Sequence, residues 1–165
     1  MSEKQLNRII LSIEDVNQAL AIAKIIVTEK YFNEPFSNKK DKTIARSLQC
    51  AMIVSYKRPF SGNGKTKTAT SYPGVKLEEK LNESQWSTHQ ELSYLRDKFF
   101  AHTDSKPLGL VRNSSKPTNP LISSNPFKMK SEQSYFSYID LFEKVLDILI
   151  QKSIELQDKL ANEKG

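Results

Sequence analysis

The feature that most constrains this chain is an apolar repeat near its C-terminal end. From about Ser131 to Asn162, Tyr135, Tyr138, Ile139, Phe142, Leu146, Leu149, Ser153, Leu156 and Leu160 recur every three or four residues. That spacing puts them on one face of a long helix. A helix with one apolar face must bury it against other elements. The rest of the chain must therefore supply partner helices.

Three more segments carry helical spacing. Residues 9–11 (Ile9, Ile10, Leu11) form a short apolar lead-in, and Ser12 with Asp15 resembles a capping box. A helix is predicted from there to about Tyr31, with Val16, Leu20, Ala23 and Val27 on its inner face. Residues 33–42 are polar, contain Pro35 and read as a loop. A second helix is predicted from about Asp41 to Tyr56, with a stripe of Ile44, Leu48, Ala51 and Met52 broadened by Val54, and Pro59 stopping it. A third is predicted over 77–102, its better part opening at Asn82 as a cap. Gln85, Thr88, Leu92, Leu95, Phe99 and Thr103 fall near one face of it, with Trp86 and Phe100 on a neighbouring sector. That second sector suits either a dimer interface or a crowded core.

The connections are long, at about 57–80 and 103–131. The latter is rich in Ser, Asn and Pro and holds Lys106, Arg112, Lys116, Lys128 and Lys130 against the one acid Asp104. Loops of this length tend to be functional or disordered. Leu108, Leu110 and Val111 are suited to a short strand. The expected fold class is all-α, an up-down bundle of four to five helices in a single domain spanning 1–165.

Several chemistries are disfavoured. The single cysteine, Cys50, excludes an internal disulfide framework and a cysteine zinc site. His89 and His102 lie thirteen apart, which is not the spacing that sets two ligands on one helical face, so no metal and no cofactor is expected. His89 reads as an ordinary surface or partly buried histidine. Ser61-Gly62-Asn63-Gly64-Lys65-Thr66 imitates part of a P-loop, but Pro59 stands where the pattern requires glycine, and the segment follows a helix rather than a strand. Met1-Ser2-Glu3-Lys4-Gln5 lacks the apolar core of a secretory signal. No apolar run approaches the roughly 18 residues of a membrane span, and Asp147 interrupts the nearest candidate, 145–150. The expected setting is cytoplasmic and away from membranes. Twenty-five Lys and Arg against 19 Asp and Glu leave a net charge of +6, which favours a polyanionic partner such as RNA, DNA or an acidic protein.

The segment richest in possible chemistry runs from Leu95 to Asp104. Arg96 and His102 sit about 120° apart on a regular helix, flanking the Leu92/Phe99 face. Near a helix end they can converge on one groove. A guanidinium binds phosphate bidentately and stabilises a phosphoryl transition state. An imidazole moves protons near neutral pH. Together they suffice for metal-free RNA cleavage by 2′-hydroxyl attack on the neighbouring phosphate. One histidine does not readily act as base and acid in one turnover, whereas two copies across a symmetric dimer can. The same residues also have a plain structural reading, in which Arg96 pairs with an acid and His102 caps the helix C-terminus.

The pattern Arg96-Asp97-Lys98-Phe99-Phe100-Ala101-His102, near the end of a third helix, resembles the HEPN superfamily motif of Arg, four to six residues, then His. Tyr56-Lys57-Arg58-Pro59-Phe60 also looks like a turn of that family. The sharp match covers about ten residues; the helix order matches over most of the chain. The resemblance implies a metal-independent endoribonuclease acting as a homodimer, in a toxin or phage-defence role, with an antitoxin or other defence protein as a further partner. It implies His102 as acid/base, Arg96 as the phosphate-binding group, and Asp97 as the residue that orients Arg96 or a water. Lys98 and Arg58 are candidate RNA-backbone contacts. One toxin subgroup carries Tyr two residues after the His; Asp104 stands there, which argues against that mode of control. The alternative is a non-catalytic HEPN module that binds RNA, a nucleotide or a protein partner.

Overall fold

The computed structural model describes residues 3–61, 74–97, 110–111, 121–122 and 128–163. Within them the chain is a helical bundle of α1 (Glu3–Thr28), α2 (Lys39–Lys57), α3 (Glu83–Leu95) and α4 (Glu132–Asn162). One-turn 3-10 helices stand at Arg58–Phe60 and Leu77–Glu79. The remaining pair is β1 (Leu110–Val111) and β2 (Leu121–Ile122), antiparallel with Leu110 opposite Ile122. Of the short strand expected at Leu108, Leu110 and Val111, the last two are paired, and Leu108 lies outside the described residues. Among the described residues, no helix is long and apolar enough to cross a membrane.

Helix α4 follows its sequence pattern. Ser131 caps it, its hydroxyl accepting from the Ser134 amide. Tyr135, Tyr138, Phe142, Leu146, Leu149, Ser153 and Leu156 are buried as expected, and Leu141, Val145 and Ile148 widen the face. α1 packs chiefly on α4 and α2, while α3 lies against α4 and touches α2 more lightly. The centre of the core is aromatic. The Tyr56 ring lies 4.6 Å from Phe142, and Phe142 stacks on Tyr138 at 6.4 Å. Burying each such side chain contributes roughly 1.5–3 kcal/mol.

Helix α1 begins earlier than expected. Ser12 is not a cap but a buried interior residue whose hydroxyl donates to the Arg8 carbonyl one turn back. The buried face runs through Ile9, Ser12, Val16, Ala19, Ala23 and Ile26, so Leu20 and Val27 flank it rather than centre it. The helix stops at Thr28 instead of Tyr31. Lys30 takes a left-handed conformation (φ 55°), and the Lys30 and Tyr31 amides bond back to Val27 and Ile26. This is a Schellman ending built without glycine.

Helix α2 is capped by Asn38, which accepts from the Asp41 amide at 2.8 Å. Its inner face is rotated by about one residue from the predicted stripe. Ala45, Gln49, Met52, Ile53 and Tyr56 are buried, Ile44 and Leu48 are half-buried, and Ala51 is exposed. The cause is Gln49. Its Nε2 donates to the Lys128 carbonyl at 3.2 Å, and its Oε1 accepts from the Lys130 amide at 3.2 Å and the Tyr135 hydroxyl at 2.6 Å. A glutamine whose oxygen accepts twice and whose nitrogen donates once can be buried without the desolvation penalty of an orphaned amide.

The segment predicted as one helix over 77–102 is divided. Asn82 opens α3 with a reciprocal capping box to Gln85. The 3-10 turn at Leu77–Glu79 precedes it, and Arg96 and Asp97 continue as a wider π-type turn. Residues 98–109, including Lys98, Phe99, Phe100, His102 and Thr103, lie outside the described residues, as do most of the P-loop-like segment and most of 103–131.

Candidate functional site

The site is built where α2 ends and α3 passes it. Gln85, His89, Leu92 and Leu95 form the buried face of α3, two of them polar. Polar contacts therefore supply part of its docking. Gln85 Nε2 donates to Asp140 on α4 at 2.9 Å, and Glu91 pairs with Lys130 at 2.7 Å.

Arg96 follows the last residue of α3. Its amide bonds back to the Leu92 and Ser93 carbonyls, and its Nη1 donates to Asp97 Oδ1 at 2.9 Å. Both side chains remain solvent-accessible, Arg96 at 31% and Asp97 at 55%. The structure thus brings together two of the predicted site residues. The other two on this segment, Lys98 and His102, lie outside the described residues. Arg58, the remaining candidate, turns toward α1 and pairs with Asp15. A guanidinium carries five N–H donors, and Arg58 is more than half exposed, so this ion pair leaves donors facing solvent.

Lys57, the last residue of α2, was not among the predicted site residues. It is only 8% exposed, and its Nζ lies 6.0 Å from the Phe60 ring centroid. Among the described residues no carboxylate is within ion-pair distance of it. Burial holds its pKa below the ordinary lysine value; Asp97 opposes that shift and Arg96 adds to it. Lys57 is therefore within electrostatic reach of the Arg96–Asp97 pair.

Next to Lys57, Tyr56 and His89 form a buried pair, with the phenol oxygen 2.7 Å from His89 Nδ1. The Trp86 ring stacks on the imidazole (5.1 Å, 15°), and Phe60 meets it edge-on (5.5 Å, 79°). Burial, assisted by the Lys57 charge, pushes His89 down to about 4. The imidazole is therefore neutral at physiological pH. Burial also raises the Tyr56 phenol well above its usual range. Lys57, Phe60, Trp86 and His89 border a cavity of about 420 Å³, whose apolar lining includes Val75 and Leu77 and whose charged lining includes Lys76, Glu78 and Glu79.

Of the two settings expected for His89, surface or partly buried, the structure has the buried one, at 9% exposure. Trp86 and His89, three apart on α3, and the turn from Tyr56 to Phe60 were each visible in the chain, but not their meeting, because the two segments lie about thirty residues apart. Trp86, one of two residues on the second apolar sector of this helix, is half-buried and spends a ring face on His89 of its own chain. Among the described residues no group of three or more His, Cys, Asp or Glu is placed to hold a metal. Comparison with protein-family models, curated proteins and solved structures found no match.

Proposed function

We propose that this protein is a metal-independent endoribonuclease of the HEPN type, cleaving RNA by 2′-hydroxyl attack at a site shared by two copies, in a toxin or phage-defence role. The observation that carries the reading is the position of Arg96. It leaves the end of a docked helix accessible to solvent, beside Asp97 and within electrostatic reach of the sequestered Lys57. It stands six residues before His102 in the sequence.

In this reading Arg96 holds a non-bridging phosphate oxygen and offsets charge as the pentacoordinate phosphorus forms. Asp97 fixes the guanidinium through its hydrogen bond. His102 takes the proton from the 2′-hydroxyl, and the second copy's histidine returns one to the 5′-oxygen leaving group. Lys57 adds positive potential that draws the strand inward, and the +6 net charge steers it from a distance.

A second reading has an observation of its own. Asp97 occupies one edge of the Arg96 guanidinium, as it would in a structural ion pair, so a non-catalytic RNA-binding module fits the same residues. Cleavage of an RNA pool in EDTA separates the two. Wild type should cut, and Arg96→Ala and His102→Ala should lose at least about a hundredfold in rate, the usual size of a general acid–base contribution, with helical circular dichroism unchanged. RNA binding without cleavage by the wild type would select the binding module.

A further inference from the structure

The His89 cavity holds donors that the fold itself does not use. Tyr56 is a phenol kept protonated by burial; His89 Nδ1, 2.7 Å from its oxygen, is the one partner of its hydroxyl among the described residues, which assigns the phenol as donor and Nδ1 as acceptor. A neutral imidazole that accepts at Nδ1 carries its own hydrogen on Nε2. Among the described residues that Nε2–H has no acceptor. His89 is 9% exposed and borders the cavity. Lys57 borders it too, 8% exposed, with ammonium donors that no described carboxylate answers. Neither His89 Nε2 nor Lys57 Nζ is a buried orphan among the described residues, so both donors open onto the cavity they line, where a ligand with neighbouring acceptor atoms can meet them.

The rest of the lining narrows the ligand. Phe60 and Trp86 provide aromatic surface, and Val75 and Leu77 are apolar, which suits a flat ring. Glu78 is exposed, has no described partner and offers a carboxylate to ring N–H groups. Among the bases, guanine has two neighbouring acceptors, O6 and N7, on one edge and N–H donors on another. Adenine places an amino donor beside N7, which would oppose the Lys57 ammonium. Unstacked RNA bases are typically held in this way, by an aromatic face with hydrogen bonds to their edges.

We propose that the cavity bounded by Lys57, Phe60, Trp86 and His89 is a guanine-binding subsite, with Lys57 and His89 Nε2–H on O6 and N7 and Glu78 on the ring N–H groups. As a subsite for a base of the cleaved strand it rests on the ribonuclease reading; as a guanine pocket it can be tested without it.

Trp86 is the chain's only tryptophan, so intrinsic fluorescence reports on this pocket alone. Full-length protein would be titrated with GMP, AMP and inorganic phosphate, excited beyond the nucleotide absorption. GMP should quench saturably, AMP should bind at least about tenfold more weakly, the cost of one unfavourable charged hydrogen-bond contact, and phosphate should not compete. Lys57→Met, which keeps the apolar stem, should weaken GMP by a similar factor. Glu78→Gln, an exposed change that leaves the core alone, should narrow the GMP-to-AMP ratio. Equal binding of GMP and AMP, displacement by phosphate, or undiminished GMP binding in both variants would overturn the proposal. Quenching by GMP without RNA cleavage would keep the pocket and remove the nuclease; cleavage without quenching would do the reverse.

Discussion

His89 is where a single side chain most affects the behaviour of the whole. Folding holds it neutral, since its pKa falls to about 4 through burial and the Lys57 charge. An unfolded histidine titrates near 6.5. Between those values the unfolded chain takes up a proton that the folded chain refuses. Stability that is full above pH 6.5 is therefore lost as pH falls toward 4, by about 3 kcal/mol over the whole window. Urea unfolding at pH 7 and pH 4.5 should show wild type losing about 2 kcal/mol more than His89→Gln. Equal losses in the two proteins would mean that the imidazole is not held neutral. Leu92, one turn further along α3 and fully buried, is a purely packing residue. Leu92→Ala should cost roughly 2–5 kcal/mol, read by the same titration at pH 7.

Among the elements, α3 is the one whose docking relies most on polar contacts. Its inner face is Gln85, His89, Leu92 and Leu95, and its start depends on the Asn82–Gln85 capping box. Asn82→Ala should cost about 1 kcal/mol, while Asn82→Gly should cost only a few tenths. A thermal melt that failed to separate these two variants would argue against the cap. Asn82 was legible in the sequence because capping chemistry is local. The α4 face was legible because an uninterrupted apolar period admits one reading. The registers of α1 and α2 were not. Ser12 and Gln49 are polar residues on buried faces, and a search for apolar stripes passes over them. What makes them tolerable is a partner: the Arg8 carbonyl for Ser12, and three groups more than seventy residues away for Gln49. Long-range satisfaction of this kind has no local signature.

At the scale of the whole molecule, the Arg96–Asp97 pair was visible in the sequence as part of a motif, while the Tyr56–His89–Trp86 cluster was not. The motif is contiguous and the cluster is assembled by the packing of α2 against α3. The same separation predicts how the two respond to salt. RNA binding driven by the +6 charge and exposed arginines should fall steeply between 50 and 200 mM salt, as counterion release requires. GMP quenching at a pocket walled by aromatic rings should fall much less. Parallel losses in both assays would place the nucleotide on the outer charged surface instead.

The bonds around Gln49 also set a clock on the native state. The Lys130 amide, two residues before α4, donates to a side chain of α2. Its exchange with solvent deuterium therefore requires α2 to part from the segment that leads into α4. In native-state exchange Lys130 should join the slow amides of the α2 interior, not the fast ones that fray at a helix start. It would then count how often the bundle opens along that one seam.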